Sequence, residues 1–369
     1  MSLFIFILIL VALIWVHELG HFAAAKLFRI RVDEFAIGFP PRLFRLRLGE
    51  TDYTFNLLLI GGFVKIYGED PSSSAEATQD KRALSSRSRG VQALVVAAGI
   101  TMNLLFAWVL LSAGYMYGLP TSAAHEGFGT VANPQPMIVG VLPDSPAQKA
   151  GLVGGDVVVG VETGSARLEV ASLSTERQAD AVRAFIAAHP DESMVLTVNR
   201  DGGEKTFLAK PVEGLSDTGK VIGIHLDDIG VLALPPHLAL LQGALAAKNM
   251  TVQTAQGLGA FLAQVVGGSA NFSQVAGPIG IAGAGAAAVN EGFAAAIIIT
   301  ALISVNLAII NIVPIPGLDG GRLLILAIEG VKRSPISQRF STGLTLAGFA
   351  FLLILIILVS AHDIARLIG

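Results

Sequence analysis

Leu3-Phe4-Ile5-Phe6-Ile7-Leu8-Ile9-Leu10-Val11-Ala12-Leu13-Ile14-Trp15-Val16 contains no polar side chain beyond its one indole, and it runs straight into His17-Glu18-Leu19-Gly20-His21-Phe22-Ala23-Ala24-Ala25. At about 20 residues the stretch is long enough to cross a bilayer as a helix. On a helix, positions four apart share a face, so His17 and His21 can meet one metal ion with Glu18 beside it. The bare pattern H-E-x-x-H arises by chance in many soluble helices. Its setting carries the weight here, because two imidazoles and a carboxylate inside an apolar span are costly unless paired or chemically employed. Two other readings of the segment are a cleaved signal peptide ending at Ala23-Ala24-Ala25 and a pair of histidines hydrogen-bonded to neighbouring helices. Against the first, no Lys or Arg precedes the apolar run and His17-Glu18 interrupts it.

Composition extends the membrane reading to the whole chain of 369 residues, which is 53% hydrophobic and only 14% charged. Soluble chains carry about 25% charged residues. Mean hydropathy is +0.66. The net charge of −3 is small and points to no nucleic-acid partner. The chain has no Cys, which excludes disulfides, thiolate metal sites and a Cys nucleophile. A metal would have to be held by His and carboxylate groups.

Outward from the first span, residues 26–90 read as a polar loop with a strand-like stretch from Asp52 to Ile66, in which Asp52–Leu59 and Gly61–Ile66 form a hairpin. Val91–Tyr117 is a second spanning segment, Phe293–Val313 a third and Gly343–Ala361 a fourth. Residues 119–235 read as a soluble domain of strands, turns and one helix. The Ala/Gly-rich stretch 236–292, with an amphipathic part at Leu238–Val266 and a loop at Gly277–Gly285, is expected at the interface or re-entering the bilayer. Lys and Arg concentrate in loop 26–90 and between the third and fourth spans, so those loops are expected in the cytoplasm. Both termini and the 119–235 domain are then expected outside, in a multi-pass protein of the cell (cytoplasmic or inner) membrane.

A metal site built on H-E-x-x-H needs a third protein ligand and one open position for water. Asn311-Ile312-Val313-Pro314-Ile315-Pro316-Gly317-Leu318-Asp319-Gly320-Gly321 places an acid between two apolar spans. The prolines end the helix and the glycines permit a tight turn. Broken helices are tolerated at membrane depth where they line a wet cavity. Asp319 is therefore the candidate third ligand. The competing reading makes it a cap of the following helix.

The residues together resemble the site-2 protease family of intramembrane zinc metalloproteases, in particular the bacterial RseP-like group that carries out regulated intramembrane proteolysis. The resemblance rests on H-E-x-x-H in the first span, Gly61-Gly62-Phe63-Val64-Lys65, Asn103 in the second span and N-x-x-P-x-P-x-L-D-G near the third. It implies His17, His21 and Asp319 as ligands of one Zn2+, Glu18 as the catalytic base, and Asn306 and Asn311 as groups that hold the substrate or stabilise the oxyanion. Ile138–Leu152 followed by Gly155-Asp156-Val157-Val158 resembles a PDZ domain, which binds peptide C-termini by strand addition or serves as a steric gate. Ala181–Ala188 fits its second helix, and Met194–Arg200 with Thr206–Lys210 its last strands. The best-known relatives carry two such modules; this chain has room for one.

The expected architecture is thus a polytopic α-helical membrane protein of about four transmembrane helices. It carries a cytoplasmic, membrane-associated β-hairpin and an inserted extracytoplasmic α+β PDZ domain. Residues 1–118 form the first half of the protease core, 119–235 the PDZ domain and 236–369 the second half. The expected activity is zinc-dependent cleavage of single-span membrane proteins, with anti-sigma factors or remnant signal peptides as substrates and the lipid bilayer as the other partner. A non-catalytic scaffold or transporter with a structural metal is the alternative. An unwound substrate must find new hydrogen-bond partners, and the hairpin can provide them as an added strand, with Phe55, Leu57, Leu58, Gly61 and Gly62 in contact.

Overall fold

A run of Leu, Ile, Phe and Val makes helix α1, Ser2–Leu27. The computed structural model describes residues 1–69, 80–173, 177–200, 202–215, 219–269, 277–334 and 336–368. By chain contacts it divides into two compact units, Met1–Gly114 with Gly243–Gly369, and Tyr115–Gln242.

In the first unit, three helices among the described residues are long and apolar enough to cross a membrane. They are α1, α2 (Arg89–Tyr117) and, by its place in the order below, α7 (Phe293–Ile312). The fourth expected span, Gly343–Ala361, falls inside helix α9 (Gln338–Ile368), where several side chains lie outside the description. The chain is a multi-pass membrane protein with β structure added to its helices.

Two strands follow α1: β1, Val32–Leu48, and β2, Thr51–Ile66. The sequence reading missed β1 and paired the two halves of β2 with each other. The register differs. Residues 34–37 of β1 lie opposite 52–55 on one side and opposite 62–65 on the other, so β1 runs between the two halves of β2. Residues 42–48 extend the pairing along 51–56. Among the described strands, none pairs with the outer edge of 62–66. Aromatic rings fasten the base of this sheet to α1, with Phe22 5.1 Å from Phe35 and 6.0 Å from Tyr53.

The later part of the unit contains α5 (Pro236–Val266), α6 (Pro278–Glu291), α7, α8 (Asp319–Lys332) and α9. The loop expected at Gly277–Gly285 is the first half of α6. Its glycines suggested a break, yet Gly285 serves packing: a Cβ there would lie 2.0 Å from the ring of the buried Phe6 on α1. Pro278 at the first turn and the alanines after it suit a helix.

The second unit is built on a seven-stranded sheet. Its strands are β3 (Leu119–Ser122), β4 (Ala132–Val141), β5 (Val157–Glu162), β6 (Arg167–Glu169), β7 (Met194–Arg200), β8 (Gly203–Ala209) and β9 (Ile224–Leu232), in the order β3-β9-β4-β5-β7-β8 with β6 beside β5. Two helices join it, α3 (Pro146–Ala150) and α4 (Gln178–Ala188), which begins three residues before the expected Ala181. Alternate residues Met194, Leu196 and Val198 turn into a core with Ile138, Leu152 and Val158. Ser145 caps α3 and Gly151, at φ +93, ends it. Asp156 is fully buried and completely satisfied: Arg200 Nε donates to one carboxylate oxygen at 2.5 Å, Nη2 to the other at 2.7 Å, and the Val153 amide adds a bond of 3.0 Å.

Candidate metal centre

His17 and His21 stand one turn apart on α1 and face α2. Gly99 of α2 makes their approach possible, since a Cβ there would lie 2.4 Å from Nε2 of His21 and 2.8 Å from Cε1 of His17. Asp319 reaches the same point from the first residue of α8, whose N-cap is Leu318. Nε2 of His17 lies 3.2 Å from Nε2 of His21. Oδ2 of Asp319 lies 3.1 Å from the first and 3.4 Å from the second.

These distances fit a cation. Zinc bound tetrahedrally at about 2.0–2.1 Å sets neighbouring ligand atoms roughly 3.3–3.4 Å apart. The donor chemistry agrees. Nδ1 of His21 lies 3.0 Å from the Val95 carbonyl oxygen, which can only accept, so that nitrogen carries a proton and in the neutral imidazole Nε2 keeps its lone pair. A bare nitrogen thus faces Asp319 Oδ2, a buried oxygen without a hydrogen-bond partner of its own. Converging lone pairs are stable around a positive charge and costly without one. Among the described residues, His17, His21 and Asp319 form the one cluster of three with ligand atoms this close.

Glu18 points into the same space and shares the wall of a cavity with Val64 of β2. A Cβ on Gly62 would lie 3.7 Å from Glu18 Cγ. Two cavities adjoin the cluster. One of about 250 Å³ is lined by Ile14, Asn103, Leu307 and Asn311 with His17, Glu18 and Asp319. The other, about 200 Å³, is bounded by Phe63, Val64, Glu69 and Arg322 around the same polar residues and His21.

The expected substrate-contact residues divide. Asn311 lines the larger cavity and Gly62 approaches Glu18. Asn306 is half-buried on α7, and Gly61 packs against the Phe39 ring. Phe55, Leu57 and Leu58 are exposed on the sheet, and neither cavity is lined by them. Sequence reasoning missed the Val95 carbonyl, a backbone group that no residue type announces. It also missed the ion pair between Arg322 and Glu69, two residues 253 positions apart.

Comparisons with known proteins agree with this chemistry. The model of peptidase family M50 matches residues 5–355. A protein of Nostoc sp., provisionally named a zinc metalloprotease, is 34% identical over 361 residues, which cover 96% of this chain and 93% of its own. The zinc metalloproteases RasP of Geobacillus kaustophilus and Bacillus licheniformis are 26% and 27% identical, each alignment covering at least 98% of both chains. The chain belongs to peptidase family M50, the site-2 proteases, and is a zinc metalloendopeptidase.

Proposed function

We propose that this protease cuts single-span membrane proteins within or beside their membrane segments, with anti-sigma factors or remnant signal peptides as the substrate class. One observation carries the reading: residues 62–66, whose outer edge no described strand pairs with, run past Glu18 beside the histidine–aspartate cluster, among apolar helices. A helical substrate hides its carbonyls in its own hydrogen bonds, and lipid offers no replacement. A free strand edge accepts an unwound segment and aligns it past the carboxylate.

In this reading His17, His21 and Asp319 hold the zinc. When bound, zinc supplies Lewis acidity and lowers the pKa of water. Glu18 takes the proton of the attacking water and returns it to the leaving amine. Asn311, in the wall of the larger cavity, is placed to hold the substrate backbone. Phe55, Leu57 and Leu58, with the equally exposed Phe44 and Leu46, give the sheet an apolar surface suited to the bilayer interface rather than to the scissile bond.

The unit Tyr115–Gln242 is read as a single PDZ domain. Residues 224–226 of β9 pair with β4 on one side, while β3 covers only 229–232 on the other. Among the described strands a short unpaired edge therefore remains after Gly223, where a peptide C-terminus can add as a strand. The basic character of loop 26–90 and of the loop between the third and fourth spans supports a location of this unit and both termini outside the cytoplasm.

Glu18→Gln tests the activity. Cleavage of a tagged single-span protein in detergent should fall about 10²- to 10⁴-fold, with one equivalent of zinc retained. Turnover near that of the parent enzyme overturns the mechanism.

A further inference from the structure

Asn103 stands opposite the metal cluster on α2 and is completely buried. Its carboxamide lies against Nδ1 of His17, at 3.3 Å from Nδ2. Its Oδ1 is also buried and has no hydrogen-bond partner. Its backbone oxygen accepts from Ser304 Oγ of α7 at 2.8 Å, which fixes the main chain at this point. The side chain lines the larger cavity.

The cluster dictates what His17 needs from this neighbour. His17 presents Nε2 to the same point as Nε2 of His21 and Oδ2 of Asp319. An imidazole that ligates through Nε2 carries its proton on Nδ1 and seeks an acceptor there. His21 finds one in the Val95 carbonyl. For His17, the group within reach is the Asn103 amide. An amide nitrogen cannot accept, but a half-turn about Cβ–Cγ exchanges oxygen and nitrogen in nearly the same space.

We propose that Asn103 is a positioning residue whose Oδ1 accepts the Nδ1 proton of His17, locking the tautomer and ring orientation that turn Nε2 toward the metal. The inference rests on the ligand assignment proposed above. The half-turn also places the amide NH2 in the cavity wall, where Oδ1 now stands unpartnered. Each ligand histidine is then held from behind by an acceptor on α2, one a main-chain carbonyl and the other a side-chain amide. Outer-shell partners of this kind are worth about 10- to 100-fold in metal affinity.

The test is zinc affinity, measured by chelator competition on the full-length protein in detergent. Asn103→Leu keeps the size and removes the acceptor, and should bind zinc about 10- to 100-fold more weakly. Asn103→Asp keeps an acceptor and removes the donor, and should bind at least as tightly as the parent. A merely structural role would be disturbed by both changes, and Ser304→Ala, which frees the same backbone, should leave affinity within a few-fold. If the Leu variant does not accumulate, the Asp variant decides: weakened zinc binding there overturns the proposal. Parental affinity in Asn103→Leu overturns it equally. His21→Ala serves as the control for the underlying assignment. If it too keeps zinc, the ligand set is wrong; if it loses zinc while Asn103→Leu does not, only the role of Asn103 falls.

Discussion

Two aspartates with buried carboxylate oxygens, one in each unit, are treated in opposite ways. Asp156 receives two bonds from Arg200 and one from the Val153 amide, and no oxygen is left over. Asp319 faces two histidine nitrogens and leaves Oδ2 without a hydrogen-bond partner. Proteins satisfy nearly all their buried polar groups, so the complete shell of Asp156 fits a structural role, and an unsatisfied oxygen beside two converging histidine nitrogens fits a bound cation. Arg200 also stacks 4.8 Å over Phe207 and bonds the Gly151 carbonyl. Its charge is spent on holding strands together. The charge of Asp319 stays available for a ligand.

The comparison breaks most directly at Asp319. In the proposed site Asp319 is one of three ligands, so metal analysis of purified Asp319→Ala should show most zinc gone and cleavage abolished. Its melting temperature should change little when both proteins are stripped of metal. A full equivalent of zinc in the variant would remove the distinction between the two aspartates.

Asp156→Asn should do the reverse, leaving zinc in place and weakening the second unit. Breaking a buried ion pair costs about 3–5 kcal/mol, and less here because Arg200 is partly exposed. Acid sharpens the point. Burial pushes the Asp156 pKa up, but the hydrogen bonds and charge of Arg200 outweigh it and hold the carboxyl below its ordinary value. A depressed folded-state pKa contributes stability that is full above the unfolded value of about 3.9 and is lost as pH falls through the folded one. The parent's second unit should lose that increment between pH 4 and the folded pKa, by circular dichroism melts, while the Asn variant shows a flatter profile. Equal pH dependence in both would deny Asp156 this role.

A smaller effect is expected at Glu69, whose carboxylate pairs with Arg322 one turn beyond Asp319 on α8. The pair ties the end of β2 to the ligand helix beside the smaller cavity. Glu69→Gln should slow cleavage on the order of tenfold, equivalent to about 1.4 kcal/mol, without releasing zinc. Exchange of the two residues, Glu69→Arg with Arg322→Glu, should restore part of the rate. A rate unchanged in Glu69→Gln would show that strand and helix hold their places without it.

Much of the site was legible because it is written in short-range spacing. His17, Glu18 and His21 need only the 3.6-residue turn to share a face, and Leu3–Val16 needs only its length to read as a span. Gly151 and Gly155-Asp156 announce a helix stop and a turn by local backbone demands. The strand β1 escaped because Val32–Leu48 contains three arginines and two adjacent prolines, which blur the alternation that identifies a strand. Helix α6 escaped because its glycines resemble breakers, although Gly285 is there to admit Phe6 from a helix hundreds of residues away.

Composition and periodicity by themselves determined that this chain is membranous, carries a two-histidine helix and holds a strand-rich insert. They could not say that Asp319 turns toward the histidines, nor that residues 62–66, unpaired on their outer side among the described strands, run past Glu18. Those are facts of convergence between segments about 300 and about 45 positions apart. Local propensity encodes only what near neighbours in the chain impose. Packing decides which distant lone pairs meet, and whether anything is left to satisfy them.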